Sequence, residues 1–161
     1  MIDHAETARR LFREGYNCAQ AVFCAFPDVT GLDREAAARL ASSFGGGMGR
    51  LREVCGTMSG ALLVLGIACG YSDPANPQAK ADHYHRVQEF ARRFRARNGT
   101  IICRELLAGV ETVPGDEPEA RTEAYYARRP CMRLAGEAAA ILEAMLNEQK
   151  GADGARQEEK P

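Results

Sequence analysis

Residues Phe44–Tyr71 read FGGGMGRLREVCGTMSGALLVLGIACGY and contain the most hydrophobic run of the chain, Leu62–Ile67. A helix needs about 20 apolar residues to span a bilayer, and this run is too short to do so. The pattern instead predicts a buried central helix around which the other elements pack. Cys55 stands at the predicted N-terminal end of that helix.

The central helix is preceded by a glycine-rich segment that contains Gly45, Gly46 and Gly47. Glycine adopts positive φ at little cost and allows another backbone or a cofactor to approach closely. The segment therefore predicts a loop, and we expect these three glycines to contribute to a cofactor site. It is a poor phosphate site, because no Lys-Ser/Thr pair follows it and GGGMGR does not match G-x-G-x-x-G.

The rest of the chain predicts an all-α fold, a single compact bundle of about six helices. Its 161 residues suit one domain, and Ala, Leu, Arg and Glu, which favour helices, recur throughout. Only TIIC at Thr100–Cys103 contains a β-branched run. We expect the domain to cover residues 1–148, and the polar segment 149–161, which lacks periodicity, to be a disordered tail.

Capping residues and helix-breaking residues indicate where the helices begin and end. Asp3, Asn17 and Asp33 are good N-caps, and Pro130 suits the first position of a last helix. The segment 108–129 is rich in Pro, Gly and Glu, and we expect it to be irregular. Besides the central helix, the predicted helices cover residues 3–14, 18–26, 33–44, 78–97, 101–107 and 130–148.

Composition restricts the class of protein. The net charge of −1 disfavours a nucleic-acid-binding protein, which is usually clearly basic. The N-terminus lacks the apolar core of a signal peptide, and no segment suits a membrane span, so we expect a cytoplasmic protein. Six cysteines in a reducing compartment indicate metal binding or redox chemistry rather than structural disulfides. The glycine-lined central helix can also serve as a homodimer interface.

Four of the six cysteines lie at predicted helix N-termini: Cys18, Cys55, Cys103 and Cys131. The free N–H groups and the helix dipole at such positions stabilise a thiolate and lower the pKa of the thiol. Cys24 points about 120° away from Cys18 on the same helix, and Cys69 lies about 21 Å beyond Cys55, so both are predicted to be core residues. The spacings contain no C-x-x-C knuckle, and an iron–sulfur cluster, a zinc ion and thiol–disulfide pairs all remain possible.

Three arginines lie close to the cysteines in the sequence. Arg50, Arg52 and Arg104 neighbour Cys55 and Cys103, where they can tune a redox centre, contact an acidic partner or simply face solvent. In a thiol–disulfide enzyme, Cys55 would be the natural nucleophile. The three histidines are predicted to be surface residues, because the pair on the long helix cannot share a ligand site and the first lies near the N-terminus.

Five motifs occur in order along the chain: GYNCAQAV, FGGGMGR, CGTMSGALLVLG, CRELL and the late cysteine Cys131. Together they resemble the C_GCAxxG_C_C family of redox-active proteins, and the likeness covers about residues 5–146. The family's four cysteines fall on Cys18, Cys55, Cys103 and Cys131. One departure is Thr57, where the family usually has Ala.

The resemblance implies a redox function. Related modules occur beside haems in split-Soret cytochromes, where a [2Fe–2S] cluster is present, and this implies a cysteine-ligated cluster here. The chain has no C-x-x-C-H and should carry no covalent haem. The leading hypothesis is therefore an iron–sulfur protein, most simply [2Fe–2S], that transfers electrons to a redox partner protein. A thiol–disulfide protein and a structural zinc site with the same four cysteines are the alternatives.

Overall fold

The computed structural model describes residues 1–158, and within that range the chain is helical with no β-strand, which confirms the all-α prediction. None of the helices in this range has the length and hydropathy that a membrane span requires. The helices are α1 (His4–Arg13), α2 (Cys18–Phe23), α3 (Pro27–Thr30), α4 (Arg34–Ala41), α5 (Gly45–Met48), α6 (Gly56–Cys69), α7 (Pro77–Asn98), α8 (Cys103–Leu106), α9 (Glu123–Arg128) and α10 (Cys131–Glu158), with a 3-10 turn at Ser42–Phe44.

The first helices begin where their capping residues predict. The side chains of Asp3 and Asp33 accept hydrogen bonds from backbone N–H groups three residues ahead. Asn17 forms a capping box with Gln20, in which each side chain accepts from the backbone N–H of the other residue. These bonds satisfy N–H groups that the first turn leaves free, and they place Cys18 at the first position of α2.

The predicted central helix is α6, which packs closely against α2. A Cβ atom built on Gly60 would lie only 2.4 Å from the carbonyl oxygen of Ala19, so only glycine permits this approach. Both helices contribute to a core that α1 and α10 complete. Phe12, Phe23 and Phe26 are among its largest fully buried side chains.

Three short helices were not predicted, and one long helix has a different end. Pro27, expected only to terminate a helix, opens α3, and α9 forms within the segment 108–129 that was expected to be irregular. The glycine segment forms the distorted turn α5. The last helix does not end near residue 148 but continues to Glu158, through most of the predicted tail, while residues 159–161 lie outside the described part of the chain.

The surface position predicted for His4 is wrong. Its side chain is 7% exposed and stacks on Phe26 at a centroid distance of 4.1 Å. Its Nδ1 and Nε2 atoms lie 2.7 Å from Glu143 Oε1 and 2.9 Å from Asp28 Oδ1. Tertiary contacts from α3 and α10 therefore bury a residue that the N-terminal sequence alone suggests is exposed.

Candidate functional site

The four cysteines from the family pattern line one cavity of about 270 Å³. Cys18 begins α2, Cys55 precedes α6, Cys103 begins α8 and Cys131 begins α10. Four separate helix starts therefore face a common space. Cys24 and Cys69 stand at the far ends of α2 and α6 and do not line this cavity.

Cys18 is held in the cavity by the contact between α2 and α6. A Cβ atom on Gly56, the first residue of α6, would lie 2.4 Å from Cys18 Sγ and 2.8 Å from the carbonyl oxygen of Phe44. Any larger residue at this position would have to displace the sulfur or the neighbouring backbone. Gly56 therefore makes room for the thiol at the point where the two helices meet.

Cys55 and Cys103 are brought together by a short antiparallel pairing of two segments. Val54 and Ile102 form an isolated β-bridge. On either side of it, the N–H of Cys55 donates to Ile101 O at 2.8 Å, and the N–H of Cys103 donates to Glu53 O at 2.6 Å. The β-branched run at Thr100–Cys103 thus fixes the position of Cys103 relative to Cys55.

Cys131 follows Pro130, whose carbonyl oxygen accepts from the N–H of Leu134 at 2.9 Å in the first turn of α10. The preceding segment, 108–129, folds over the cavity. It contributes Glu119, Tyr125 and Arg129 to the lining. The segment expected to be an irregular excursion is therefore one wall of the site.

The glycine segment borders the thiols as a sharply bent backbone. Gly46 and Gly47 have φ values of 66° and 69°, in the left-handed region that favours glycine. Gly45 and Gly46 line the cavity, and the Gly46 backbone favours the thiolate of Cys18. Gly47 lies behind the lining, but a Cβ atom there would meet Cys103 Cβ at 2.7 Å. Each of the three glycines therefore has a role in the shape of the site.

Each of the four sulfurs in the cavity has a polar group beside it that favours negative charge. The Thr57 hydroxyl lies 3.1 Å from Cys55 Sγ, and Arg52 Nη1 donates to Cys103 Sγ at 3.9 Å. The Gly46 backbone favours the thiolate of Cys18, and the charge of the Arg129 guanidinium favours that of Cys131.

The two remaining thiols have the opposite arrangement. The thiol groups of Cys24 and Cys69 donate to the backbone carbonyls of Arg34 and Leu65. A sulfur surrounded by donors is suited to carry negative charge, whereas a thiol that donates to a carbonyl is neutral. The hydrogen-bond pattern therefore separates the same four cysteines that the helix starts select.

The prediction that helix N-termini lower the pKa of these thiols is wrong for three of them. Burial raises the pKa of Cys55 and of Cys131 to about 12 and also raises that of Cys18. Desolvation of a thiolate outweighs the nearby N–H groups, and mutual repulsion adds to it, because ionised Cys18 would raise the pKa of both Cys55 and Cys131. Burial therefore favours the neutral thiol of Cys55 over its thiolate.

The arginines near the site divide into two groups. Arg52 reaches Cys103, as expected from its place in the chain, whereas Arg104 forms an exposed ion pair with Glu53 at 3.0 Å. Arg129 was not anticipated. Its side chain is 6% exposed and forms an ion pair with Glu119. Its position directly before Pro130 and Cys131 is the sequence signal that could have identified it.

Thr57 was noted only as a departure from the family motif, yet it is fully buried and its hydroxyl contacts Cys55. A hydroxyl two residues beyond a cysteine at a helix start can fold back onto the sulfur, since both lie in the first turn. That spacing is the signal for its role in the sequence.

The cavity offers four cysteine sulfurs as ligands. Within residues 1–158, no three His, Cys, Asp or Glu side chains are grouped closely enough to ligate one metal ion. A mononuclear zinc site needs four sulfurs at about 2.3 Å from a single point. A [2Fe–2S] cluster takes two cysteines on each of two irons. Both groups would use the same four sulfurs of the cavity lining.

Comparison with known proteins gives one match. A family model described as "Putative redox-active protein (C_GCAxxG_C_C)" matches residues 16–145, which is well over half of the chain. The matched region includes all four cysteines of the cavity. Neither the curated proteins nor the solved structures contain a significant match.

Proposed function

The chain belongs to the C_GCAxxG_C_C family of redox-active proteins, and from this premise we propose that its cavity binds one iron–sulfur cluster. The ligands are Cys18, Cys55, Cys103 and Cys131, and the cluster is of the [2Fe–2S] type. The protein exchanges electrons with a redox partner protein.

One observation carries this proposal. The four cysteines come from four different parts of the chain, yet all line the same cavity, and every sulfur has a polar group beside it that favours negative charge. Cys24 and Cys69 lie at the other ends of the same two helices but have neither property, since their thiols donate to backbone carbonyls. A set of buried hydrophobic cysteines would not be expected to share this arrangement, because free cysteines in a core need no donors at their sulfurs.

When bound, the cluster would supply one-electron transfer, and the chain's own residues would set its properties. The Thr57 hydroxyl and the Gly46 N–H lie at sulfurs, where hydrogen bonds stabilise the more negative state of a centre. Arg52 and Arg129 place positive charge beside the two other sulfurs. These contacts favour the reduced state relative to a cluster with unbonded thiolates.

The shape of the cavity limits access of water to the sulfurs. Cys55 and Cys103 are 5% and 7% exposed, and Cys18 is 9% exposed. Segment 108–129 covers the remaining side through Tyr125, whose ring stacks with Phe12 at 6.5 Å and lies against the guanidinium of Arg129 at 4.5 Å. A shielded centre suits electron transfer, which requires proximity to a partner.

The proposal is tested on protein purified without oxygen. We expect iron and acid-labile sulfide in equal amounts, about two of each per chain, and visible charge-transfer absorption. Cys18→Ala and Cys24→Ala are matched variants, because both residues are buried at the two ends of α2. The first should lose the iron and the absorption, and the second should retain both.

A second matched pair, Cys55→Ala and Cys69→Ala at the two ends of α6, should behave in the same way. Stoichiometric zinc without iron would overturn the proposal in favour of a zinc site. Metal-free protein that forms a disulfide between two of the four cysteines would favour a thiol–disulfide protein. Equal iron loss in both members of a pair would show that the cavity cysteines are not the ligands.

A further inference from the structure

The cavity has a charged wall that the cysteines do not explain. The charged residues that line it are four arginines and two carboxylates: Arg50, Arg52, Arg121, Arg129, Asp116 and Glu119. With neutral thiols, the lining therefore carries an excess of positive charge. Such a wall attracts anions into a cleft where low-dielectric surroundings concentrate the field.

Three of these arginines have acceptors. Arg121 donates to two backbone carbonyls, Arg129 pairs with Glu119, and Arg52 donates to Cys103 Sγ. Their guanidinium groups are accounted for by the fold and by the sulfurs. Arg50 is different.

The side chain of Arg50 makes one hydrogen bond, from Nη2 to the carbonyl oxygen of Val113 at 2.6 Å. Its Nε and Nη1 atoms are buried and have no acceptor among the described residues. Buried donors are nearly always satisfied, and a charged guanidinium loses most when it is not. An acceptor that enters the cavity, with a small rotation of the long side chain toward it, would satisfy both atoms.

The backbone is held in an unusual conformation to present this side chain. Met48, Arg50 and Arg52 have φ values of 68°, 69° and 61°, a region that residues with a Cβ atom rarely adopt. The N–H of Arg52 donates to Gly46 O at 3.1 Å, which helps to keep the strained segment in place. Strain of this kind concentrates at binding and catalytic sites, where the surrounding structure enforces it.

Arg50 also lies close to the thiols. A Cβ atom on Gly46 would be 3.0 Å from Arg50 Cγ and 3.5 Å from Arg52 Nη1, while the Gly46 N–H faces the Cys18 sulfur. A group bound by Arg50 would therefore lie beside the cysteine thiols of the cavity. The planar fork of a guanidinium matches the two oxygens of a carboxylate or a phosphate.

We propose that Arg50 forms an anion-binding subsite at the thiol cavity, which takes the carboxylate or phosphate group of a small molecule and places that molecule next to the cysteines. This goes beyond electron transfer to a partner protein, because it assigns a small oxyanion-bearing ligand to the same site. It stands independently of the cluster, since the unpaired donors of Arg50 require an acceptor whichever group the cysteines hold.

The test is the rise in the thermal unfolding temperature of the purified protein on titration with inorganic phosphate or with acetate, at constant ionic strength set by chloride. A ligand that binds only the folded state stabilises it by RT ln(1 + [L]/Kd), so the unfolding temperature rises once the ligand concentration exceeds Kd and then increases with the logarithm of that concentration. We expect such a rise in wild-type protein, and its concentration dependence gives the apparent Kd. Arg50→Gln should weaken the apparent affinity about tenfold or more, because it removes the charged donor fork. Arg39→Gln, on an exposed ion pair of α4, should leave it unchanged.

Arg50→Lys is the second variant; it keeps the charge and the stem but not the fork, and it should also bind more weakly. A larger response to acetate than to phosphate identifies a carboxylate ligand, and the reverse a phosphorylated one. Absence of a response in wild-type protein, or equal affinity in the Arg50 variants, overturns the inference.

Iron and sulfide are measured on the same samples. If wild-type protein lacks iron but binds the anion, the proposed cluster is ruled out and the anion subsite remains supported. If Arg50 variants lose iron but bind the anion as wild type does, Arg50 supports the cysteine site instead, and the anion subsite is ruled out.

Discussion

Gly60→Ala tests the contact that brings α2 and α6 together and so positions Cys18 beside Cys55. The added Cβ atom would lie 2.4 Å from Ala19 O and 3.2 Å from Ala19 C. An ordinary carbon–oxygen contact is about 1 Å longer, and neither side of this contact is a flexible side chain. The two helices would have to move apart, at the upper end of the roughly 1–3 kcal/mol that overpacking costs.

Alanine also stabilises a helix interior by about 1 kcal/mol relative to glycine, which offsets part of that cost. The expected net effect is a loss of about 1–2 kcal/mol in the free energy of unfolding. For a chain of this size, each kcal/mol of lost stability lowers the Tm by about 2–4 °C, so the Tm should fall by roughly 2–8 °C. Thermal and urea unfolding followed by far-ultraviolet circular dichroism measure both quantities.

Gly66→Ala is the matched control on the same helix. A Cβ atom there meets nothing within 4 Å, so only the helix-propensity gain of about 0.5–1 kcal/mol applies and the Tm should rise. The two alanines should therefore shift the stability in opposite directions. If Gly60→Ala is as stable as Gly66→Ala, the close approach of α2 and α6 is not present in solution, and the shared cavity loses its structural basis.

Three other predictions concern the site, the core and the surface. Thr57→Ala should lower the reduction potential of the proposed cluster by roughly 40 mV, because the loss of one hydrogen bond of about 1 kcal/mol at Cys55 Sγ disfavours the reduced state. A redox titration measures the potential, with Thr57→Ser as the control that keeps the hydroxyl. If Thr57→Ser behaves like Thr57→Ala rather than like wild type, the hydrogen bond is not the cause. His4→Ala should reduce the free energy of unfolding by about 2–4 kcal/mol, because it removes a buried ring that stacks on the core and is hydrogen-bonded to two carboxylates. The control is His85→Ala at an exposed position, which should change this free energy by less than about 0.5 kcal/mol. Equal losses for the two variants in urea unfolding would argue against the burial of His4. Two neighbouring arginines hold the pKa of Glu89 at about 2, below its ordinary value of 4.5, so its contribution to stability is complete above pH 4.5 and is lost as the pH falls toward 2. Glu89→Gln should flatten the acid side of the stability profile in that window, and a profile that matches wild type there would refute the ion pairing.

Much of the helical framework was predictable because its signals are local. Asp3, Asn17 and Asp33 form the cap bonds that their positions suggest, each to a residue three places ahead. Pro27 can end one helix and open the next, and α10 continues past residue 148 although Gly151 and Gly154 follow in its sequence.

The cysteine placement was predictable for a similar reason, since the helix starts at Cys18 and Cys131 follow from the residues directly before them. The sequence could not predict whether the pKa of each thiol is raised or lowered. Helix N-termini lower the pKa of a thiol and burial raises it, and burial is a sum over the whole fold. It takes the pKa of Cys55 to about 12, opposite to the direction expected from the chain alone.

The sequence by itself determined the all-α class, the central helix and the four cysteines that stand apart from Cys24 and Cys69. Only the tertiary structure decided that segment 108–129 closes the site, that Arg129 lies near Cys131 and that two donors of Arg50 have no acceptor within residues 1–158. The physical reason is range. Caps and helix periodicity depend on neighbours within one or two turns, whereas burial, sulfur hydrogen bonds and charge pairing join residues that are tens of positions apart in the chain.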